Sequence, residues 1–154
     1  MDNFLKLEVK AKLENVALVR VAISSFVSNL EITIDELMDI KTAVSEAVTN
    51  SIEHGYYGIL DDNSSVIINA YLISDEEDLV KVEIIDMGIG IDDVELATTP
   101  MYTSKPELEH AGMGFTIMET FMDSIEIDSN STNGTTINLL KKIKKKKSLN
   151  SRLN

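Results

Sequence analysis

VIINAYLISDEEDLVKVEIID, residues 66–86, carries two strands and the turn between them. Val66 to Ile73 and Leu79 to Asp86 are rich in β-branched side chains, which favour a pleated, half-buried surface, and the short gap rich in Asp and Glu suits a hairpin. Val80, Val82 and Ile84 share one face of the second strand and Asp86 continues it, so this acid is directed toward the core at the strand's end. A carboxylate so placed is costly unless it finds hydrogen-bond donors.

Upstream of the hairpin the period changes from two to that of a helix. Thr33-x-x-Glu36 matches a capping box, and Leu37, Ile40, Val44, Ala47, Val48, Ser51 and Ile52 form a stripe at about 100° per residue. This helix is expected to run to His54, with Gly55 placed to stop it. Before it, Asn15 to Leu30 has apolar residues at helical spacing, and Phe4 to Val9 alternates as a first strand. Downstream, Ile91 to Ala111 contains both prolines, Pro100 and Pro106, lacks a clear period and is expected to be a loop. Gly114 to Asp123 puts Phe115, Met118, Phe121 and Met122 on one face of a further helix. Ser124 to Asp128 and Thr135 to Leu140 close the chain as strands joined through Asn133-Gly134. Strands that come mostly as hairpins with helices between them predict an α+β two-layer sandwich, a mixed, largely antiparallel sheet with helices on one face.

A chain of 154 residues with 44% hydrophobic content can bury a single core, so one domain is expected over residues 1–140. No cysteine is present, which excludes disulfides and thiolate metal sites. Asp2 stands where a signal peptide would carry positive charge, no apolar stretch follows, and no segment approaches a membrane-spanning length, so a cytoplasmic protein without a membrane partner is expected. Seven basic residues stand against 26 acids in residues 1–140, a net charge of −19, and the other seven basic residues crowd into residues 141–154. So acidic a body repels nucleic acid, and the basic tail has no aromatic side chain to stack on bases. Residues 141–154 are therefore expected to form a solvated, disordered tail and not a nucleic-acid site.

Three segments carry chemistry. Glu46 and Asn50 lie one helical turn apart beside the core stripe, with small Ala43 and Ala47 leaving space next to them. A carboxylate there can take a proton from an attacking hydroxyl, and an amide oxygen can join the octahedral shell of a magnesium ion that also holds substrate phosphates. Alone, such a pair reads equally as a solvated helix face. In Asp86-x-Gly88-x-Gly90 the acid suits an adenine amino group and the glycines let the backbone approach a flat base, although a lone Asp-x-Gly also reads as a turn. Gly112-Met113-Gly114 stands at a helix start, where free amides and the positive dipole end suit phosphate, or else is a flexible joint. The segment from Ile91 to Ala111 would then be a lid, and Lys105, its only lysine or arginine, could reach a terminal phosphate or face water.

Glu46-x-x-x-Asn50 with His54, Asp86-x-Gly88-x-Gly90, Gly112-Met113-Gly114 and Gly134-Thr135-Thr136 resemble, in that order, the nucleotide boxes of the gyrase, Hsp90, histidine kinase and MutL superfamily. Ser45-Glu46-Ala47-Val48-Thr49-Asn50, Thr103-Ser104-Lys105-Pro106-Glu107-Leu108-Glu109 and Gly112-Met113-Gly114-Phe115-Thr116-Ile117-Met118-Glu119 are similar to the family of sporulation anti-sigma F factors. The likeness covers nearly the whole chain and weakens in the loop from Tyr56 to Ser65 and in the lysine tail. It implies a Bergerat-type ATP-binding fold and a homodimeric serine kinase. With ATP and magnesium bound, such a kinase holds the sporulation sigma factor F inactive, and it phosphorylates an anti-anti-sigma factor on a serine. By the family's pattern Glu46 is the base, Asn50 the magnesium ligand, and Asp86 the adenine reader with Thr135 or Thr136 beside it. His54, Gly88, Gly90, Thr103, Ser104, Lys105, Gly112, Met113 and Gly114 complete the nucleotide and lid contacts, and Arg20 on the first helix meets both protein partners. His110 departs from the pattern, standing where the family tends to carry arginine.

Two other classes fit parts of the pattern. A non-catalytic ATP-dependent binding module would use the lid as a switch and leave Glu46 incidental. An ATPase of the gyrase or Hsp90 kind would use the same base on water, but couples hydrolysis to further domains. A histidine autokinase would add a helical domain bearing its phospho-accepting histidine, whereas His54 and His110 both lie inside nucleotide-site motifs.

Overall fold

The hairpin forms as its sequence dictates. In the computed structural model, which describes residues 2–91, 93–99, 114–130 and 133–144, β2 (Ser65–Ser74) pairs antiparallel with β3 (Asp78–Asp86), Val66 opposite Asp86 and Ser74 opposite Asp78. With β1 (Asn3–Lys10), β4 (Ser124–Asn130) and β5 (Gly134–Ile143) these make a sheet of order β1-β2-β3-β5-β4. Each of its four pairings is antiparallel, so the α+β sandwich holds without a parallel component among the described strands.

Strand alternation puts Val66, Ile68, Ala70 and Leu72 of β2, Val80, Val82 and Ile84 of β3, and Ile137 and Leu139 of β5 on one buried face. Against it pack α1 (Asn15–Val27), α2 (Ile34–Asn50) and α4 (Gly114–Phe121), with α2 between the other two. Val19, Ile23 and Val27 of α1, Ile40, Val44 and Val48 of α2, and Met118 of α4 are wholly enclosed. Each such side chain contributes about 1.5–3 kcal/mol by leaving water, which makes this layer contact the main stabilising element.

Several boundaries differ from the sequence expectation. The α-helix ends at Asn50, and Ser51–Gly55 form a π-helical turn in place of a last α-turn, with Gly55 closing the segment where its position predicts. In the stretch expected to be loop, α3 (Val94–Ala97) forms one turn, capped by Asp93, whose carboxylate accepts from the Leu96 N–H at 2.9 Å. The last strand runs past Leu140 to Ile143, which corrects the assignment of Lys141 and Lys142 to a solvated tail. Lys141 falls on the core-facing side, where its Nζ donates to Asp39 Oδ2 at 3.0 Å and to the Phe121 carbonyl at 2.7 Å. Ile143 is buried. Residues 145–154 lie outside the described residues. Among the described residues no helix is long and apolar enough to cross a membrane.

Candidate nucleotide site

The capping box at the start of α2 is complete. Thr33 Oγ1 accepts from the Glu36 N–H at 3.1 Å and Glu36 Oε1 from the Thr33 N–H at 3.0 Å. Burial alone would raise the Glu36 carboxyl; the N–H groups of Thr33 and Lys144, the Thr33 hydroxyl and the Lys141 charge outweigh it, so the group lies below its ordinary value. The helix so anchored delivers Glu46 and Asn50, both half-buried, to its far end.

There Asn50 meets α4. A Cβ added to Gly114 would stand 3.4 Å from both Oδ1 and Nδ2 of Asn50, so the amide lies against the first residue of the helix. The end of α4 at Gly114, where its dipole is positive, therefore lies beside Asn50 and suits an anion. Among the described residues no three acidic or histidine side chains gather as a metal site. An amide beside a phosphate-binding helix end instead fits an ion that takes most of its ligands from phosphates and water.

Asp86 forms the other wall. It is 2% exposed and stands directly opposite Thr135, itself 6% exposed. Its Oδ1 accepts from the Gly88 N–H at 2.9 Å. Burial raises the carboxyl above its ordinary value, opposed by the Gly88 N–H, the Ser51 hydroxyl and the Thr135 N–H. Ser51 Oγ is itself fully buried and, among the described residues, makes no hydrogen bond of good geometry, although it lies close enough to the carboxylate to oppose the effect of burial. Two buried polar groups thus lie side by side with bonding capacity to spare, a cost of about 1–3 kcal/mol for an unmet donor that a polar ligand would relieve.

The glycines serve the wall more than the base. A Cβ on Gly88 would lie 1.8 Å from the Gly55 carbonyl oxygen, and one on Gly55 would lie 2.9 Å from the Asp86 carboxyl. Gly88 therefore lets two backbones touch, and the Ile89 N–H seals them by donating to the Gly55 oxygen at 2.7 Å. Gly90 holds φ +74°, where a side chain would be strained. Tyr56 fastens the same corner, its hydroxyl donating to the Ser65 carbonyl at 2.6 Å and accepting from the Met87 N–H at 2.9 Å.

Of the sequence-derived site residues, the fold brings together Glu46, Asn50 and Gly114 at one end, and Asp86, Gly88 and Thr135 at the other, with His54 half-buried in the π-turn between Asn50 and Gly55. Thr136 is a correction: it pairs with Ile85 and Asp128 on the opposite face of the sheet, because consecutive strand residues point to opposite sides. Arg20 is exposed yet held, its Nε donating to Ser45 Oγ at 2.8 Å, one residue before Glu46. Thr103, Ser104, Lys105, His110, Gly112 and Met113 lie outside the described residues. Sequence reasoning missed Ser51, counted only with the apolar stripe, Gly55, taken only as a helix stop, and Tyr56 and Ser129, which reach to Met87 and to Ile91 far away in the chain. The signals available were a hydroxyl on an apolar stripe and a serine closing a strand.

Residues 9–141 match the family described as histidine kinase-like ATPase domain. The anti-sigma F factor of Clostridium perfringens is 53% identical over 143 residues, which cover 93% of this chain and 99% of that protein. That of Oceanobacillus iheyensis is 47% identical over 149 residues, covering 97% and 99%. Among solved structures, the RsbU and RsbW domains of a Mycobacterium tuberculosis protein align with a TM-score of 0.65 at 20% identity, over 92% of this chain and 32% of that one. A mycobacterial sensor histidine kinase, MprB, aligns with a TM-score of 0.53 at 14% identity, over 94% of this chain and 100% of that one. These two are likenesses of fold.

Proposed function

The chain belongs to the histidine kinase-like ATPase domain family and, within it, to the anti-sigma F factors, and from that premise we propose that it is an ATP-dependent inhibitor of a sporulation sigma factor and a kinase of the anti-anti-sigma protein that antagonises it. The observation that carries the reading is Asn50 set against the α4 N-terminus while Asp86 stays buried and raised at the opposite wall. One end receives phosphate and a cation, the other a base with an amino donor. Magnesium, when bound, supplies positive charge to the phosphate oxygens, and Asn50 would be its protein ligand.

In the proposed transfer Glu46 accepts the proton of a serine hydroxyl on the antagonist as that oxygen bonds to the terminal phosphorus. The bond from phosphorus to the departing ADP oxygen breaks, and the positive dipole end of α4 holds the transferred group in line. Arg20 supports a docking surface along α1: its guanidinium is exposed and anchored on Ser45, so a partner gripping it lies one residue from Glu46. Action as a homodimer in the cytoplasm, with an anti-anti-sigma protein as phosphoryl acceptor, completes the proposal.

Glu46→Gln tests it. Phosphoryl transfer to the antagonist should fall about 10²- to 10⁴-fold while ATP and sigma-factor binding persist, giving an inhibitor that no longer consumes ATP to phosphorylate its antagonist. Radiolabelled transfer alongside ATP titration reads both. Near-normal transfer would remove Glu46 as the base, and ATP binding without transfer by the unmutated protein would favour a binding module.

A further inference from the structure

Along the helices Ser24, Ser28, Ser45 and Thr120 each donate the hydroxyl to the carbonyl four residues earlier, at 2.6–2.8 Å. Ser51 does not. It is 2% exposed, and its Oγ has no hydrogen-bond partner of good geometry among the described residues. It opens the π-turn that packs against β3, and the turn closes at Gly55, where a Cβ would lie 2.9 Å from the Asp86 carboxyl. Ser51 itself is near enough to that carboxyl to oppose the effect of burial on it. Asn50 and Ser51 are neighbours about 100° apart around the helix axis. One therefore meets the start of α4 while the other serves the Asp86 wall.

On the sheet side of the same wall the hydroxyls are paired. Thr135 stands opposite Asp86, Ser129 of β4 stands opposite Thr135, and the two hydroxyl oxygens lie 2.7 Å apart. At Ser51 the need is different. An ionised carboxylate only accepts, so any bond between Asp86 and Ser51 uses the serine's proton, and among the described residues nothing donates to the serine's lone pairs. What the two groups lack in common is a donor. A buried polar group left unserved is costly, and the bound ligand is the remaining source of one.

We infer that Ser51 is a base-contacting, specificity-determining residue that accepts one N–H of a purine 6-amino group whose other N–H goes to Asp86, a conclusion that rests on the nucleotide site proposed above. An amino nitrogen carries two N–H groups, one for each acceptor. A purine with no substituent at that position offers neither, and one with a carbonyl oxygen there sets an acceptor against two acceptors.

The experiment titrates ATP and purine riboside triphosphate, which is ATP without its amino group, against the unmutated protein and Ser51→Ala. The unmutated protein should prefer ATP. Ser51→Ala should lower ATP affinity about three- to tenfold, the size of one neutral hydrogen bond, and leave affinity for the analogue unchanged. Should Ser51→Ala not fold, Ser51→Cys, similar in size and a weak acceptor, carries the same one-sided loss. A serine that only braces the π-turn, or that meets the ring through water, would lower both affinities in parallel, and that result overturns the inference. Unchanged ATP affinity in Ser51→Ala overturns it too, while leaving the ATP site standing. Equal binding of the two nucleotides by the unmutated protein removes Asp86 as the reader of the amino group together with Ser51, and binding of neither overturns the site itself.

Discussion

Asp86 sits in a fold that disfavours its charge, since burial holds the carboxyl above its ordinary value against the donors of Gly88, Ser51 and Thr135. A raised native pKa means that the folded chain binds this proton more tightly than the unfolded chain does. Its contribution to stability therefore improves as pH falls through the raised value toward the ordinary 3.8, and is a penalty above that window. Asp86→Asn should consequently melt at a higher temperature than the unmutated, unliganded protein at pH 7, with the gap narrowing on acidification. The same change should weaken ATP binding by about 1–3 kcal/mol, because the amide loses an acceptor and turns a donor toward the base's amino group. Calorimetry with ATP and thermal melts from pH 7 to pH 4 check the pair of outcomes. Equal melting temperatures at pH 7, or unchanged ATP affinity, would contradict the assignment. The acid's direction was legible in the alternation of Val80, Val82 and Ile84. Its neighbour Ser51 was not, because one-dimensional periodicity places a hydroxyl on a face without saying what lies across from it.

The joints between elements were half legible. Glycines announce themselves in a sequence, but the reason for each is set by what approaches it. Gly88 keeps ordinary backbone angles and is required by space, since its missing Cβ would overlap the Gly55 carbonyl at 1.8 Å. Gly58 has the opposite character: it holds φ +78° with nothing among the described residues within 4 Å of the missing Cβ. Gly88→Ala should thus cost about 3 kcal/mol or more and disrupt the Asp86 corner, while Gly58→Ala should cost about 1–2 kcal/mol, the strain of the left-handed region alone. Urea titrations of the two variants measure the contrast, and equal losses would show that the two backbones can part without disturbing the fold. The π-turn from Ser51 to Gly55 belongs to the same account. Helical periodicity predicted a continuous helix to His54, and the widened turn is where Gly55 meets Asp86 and Gly88.

At the level of the molecule, Lys141 joins three elements: its stem runs on the core side of β5, and its ammonium reaches Asp39 on α2 and the last turn of α4 at Phe121. The side chain is 14% exposed and that of Asp39 29%, so the pair is shielded well beyond an ordinary surface contact. Lys141→Met should cost about 1–3 kcal/mol, since the α4 carbonyl and Asp39 both lose a charged donor, and should lower the melting temperature. Lys142→Met, whose ammonium is a surface pair 3.9 Å from Glu77, should change stability by less than about 0.5 kcal/mol. Parallel melts of both variants decide whether the two lysines differ. By itself the sequence determined the strands, the capped helix, the antiparallel hairpin and the order of the nucleotide boxes, because these rest on period, propensity and spacing within a few residues. Tertiary structure alone decided that Thr135 and not Thr136 faces Asp86, that Ser129 stands behind it, that Asn50 meets Gly114, and that Lys141 is a brace. Each of these depends on strand register or helix packing, and register is settled by the burial of a whole face at once, which no local stretch of residues contains.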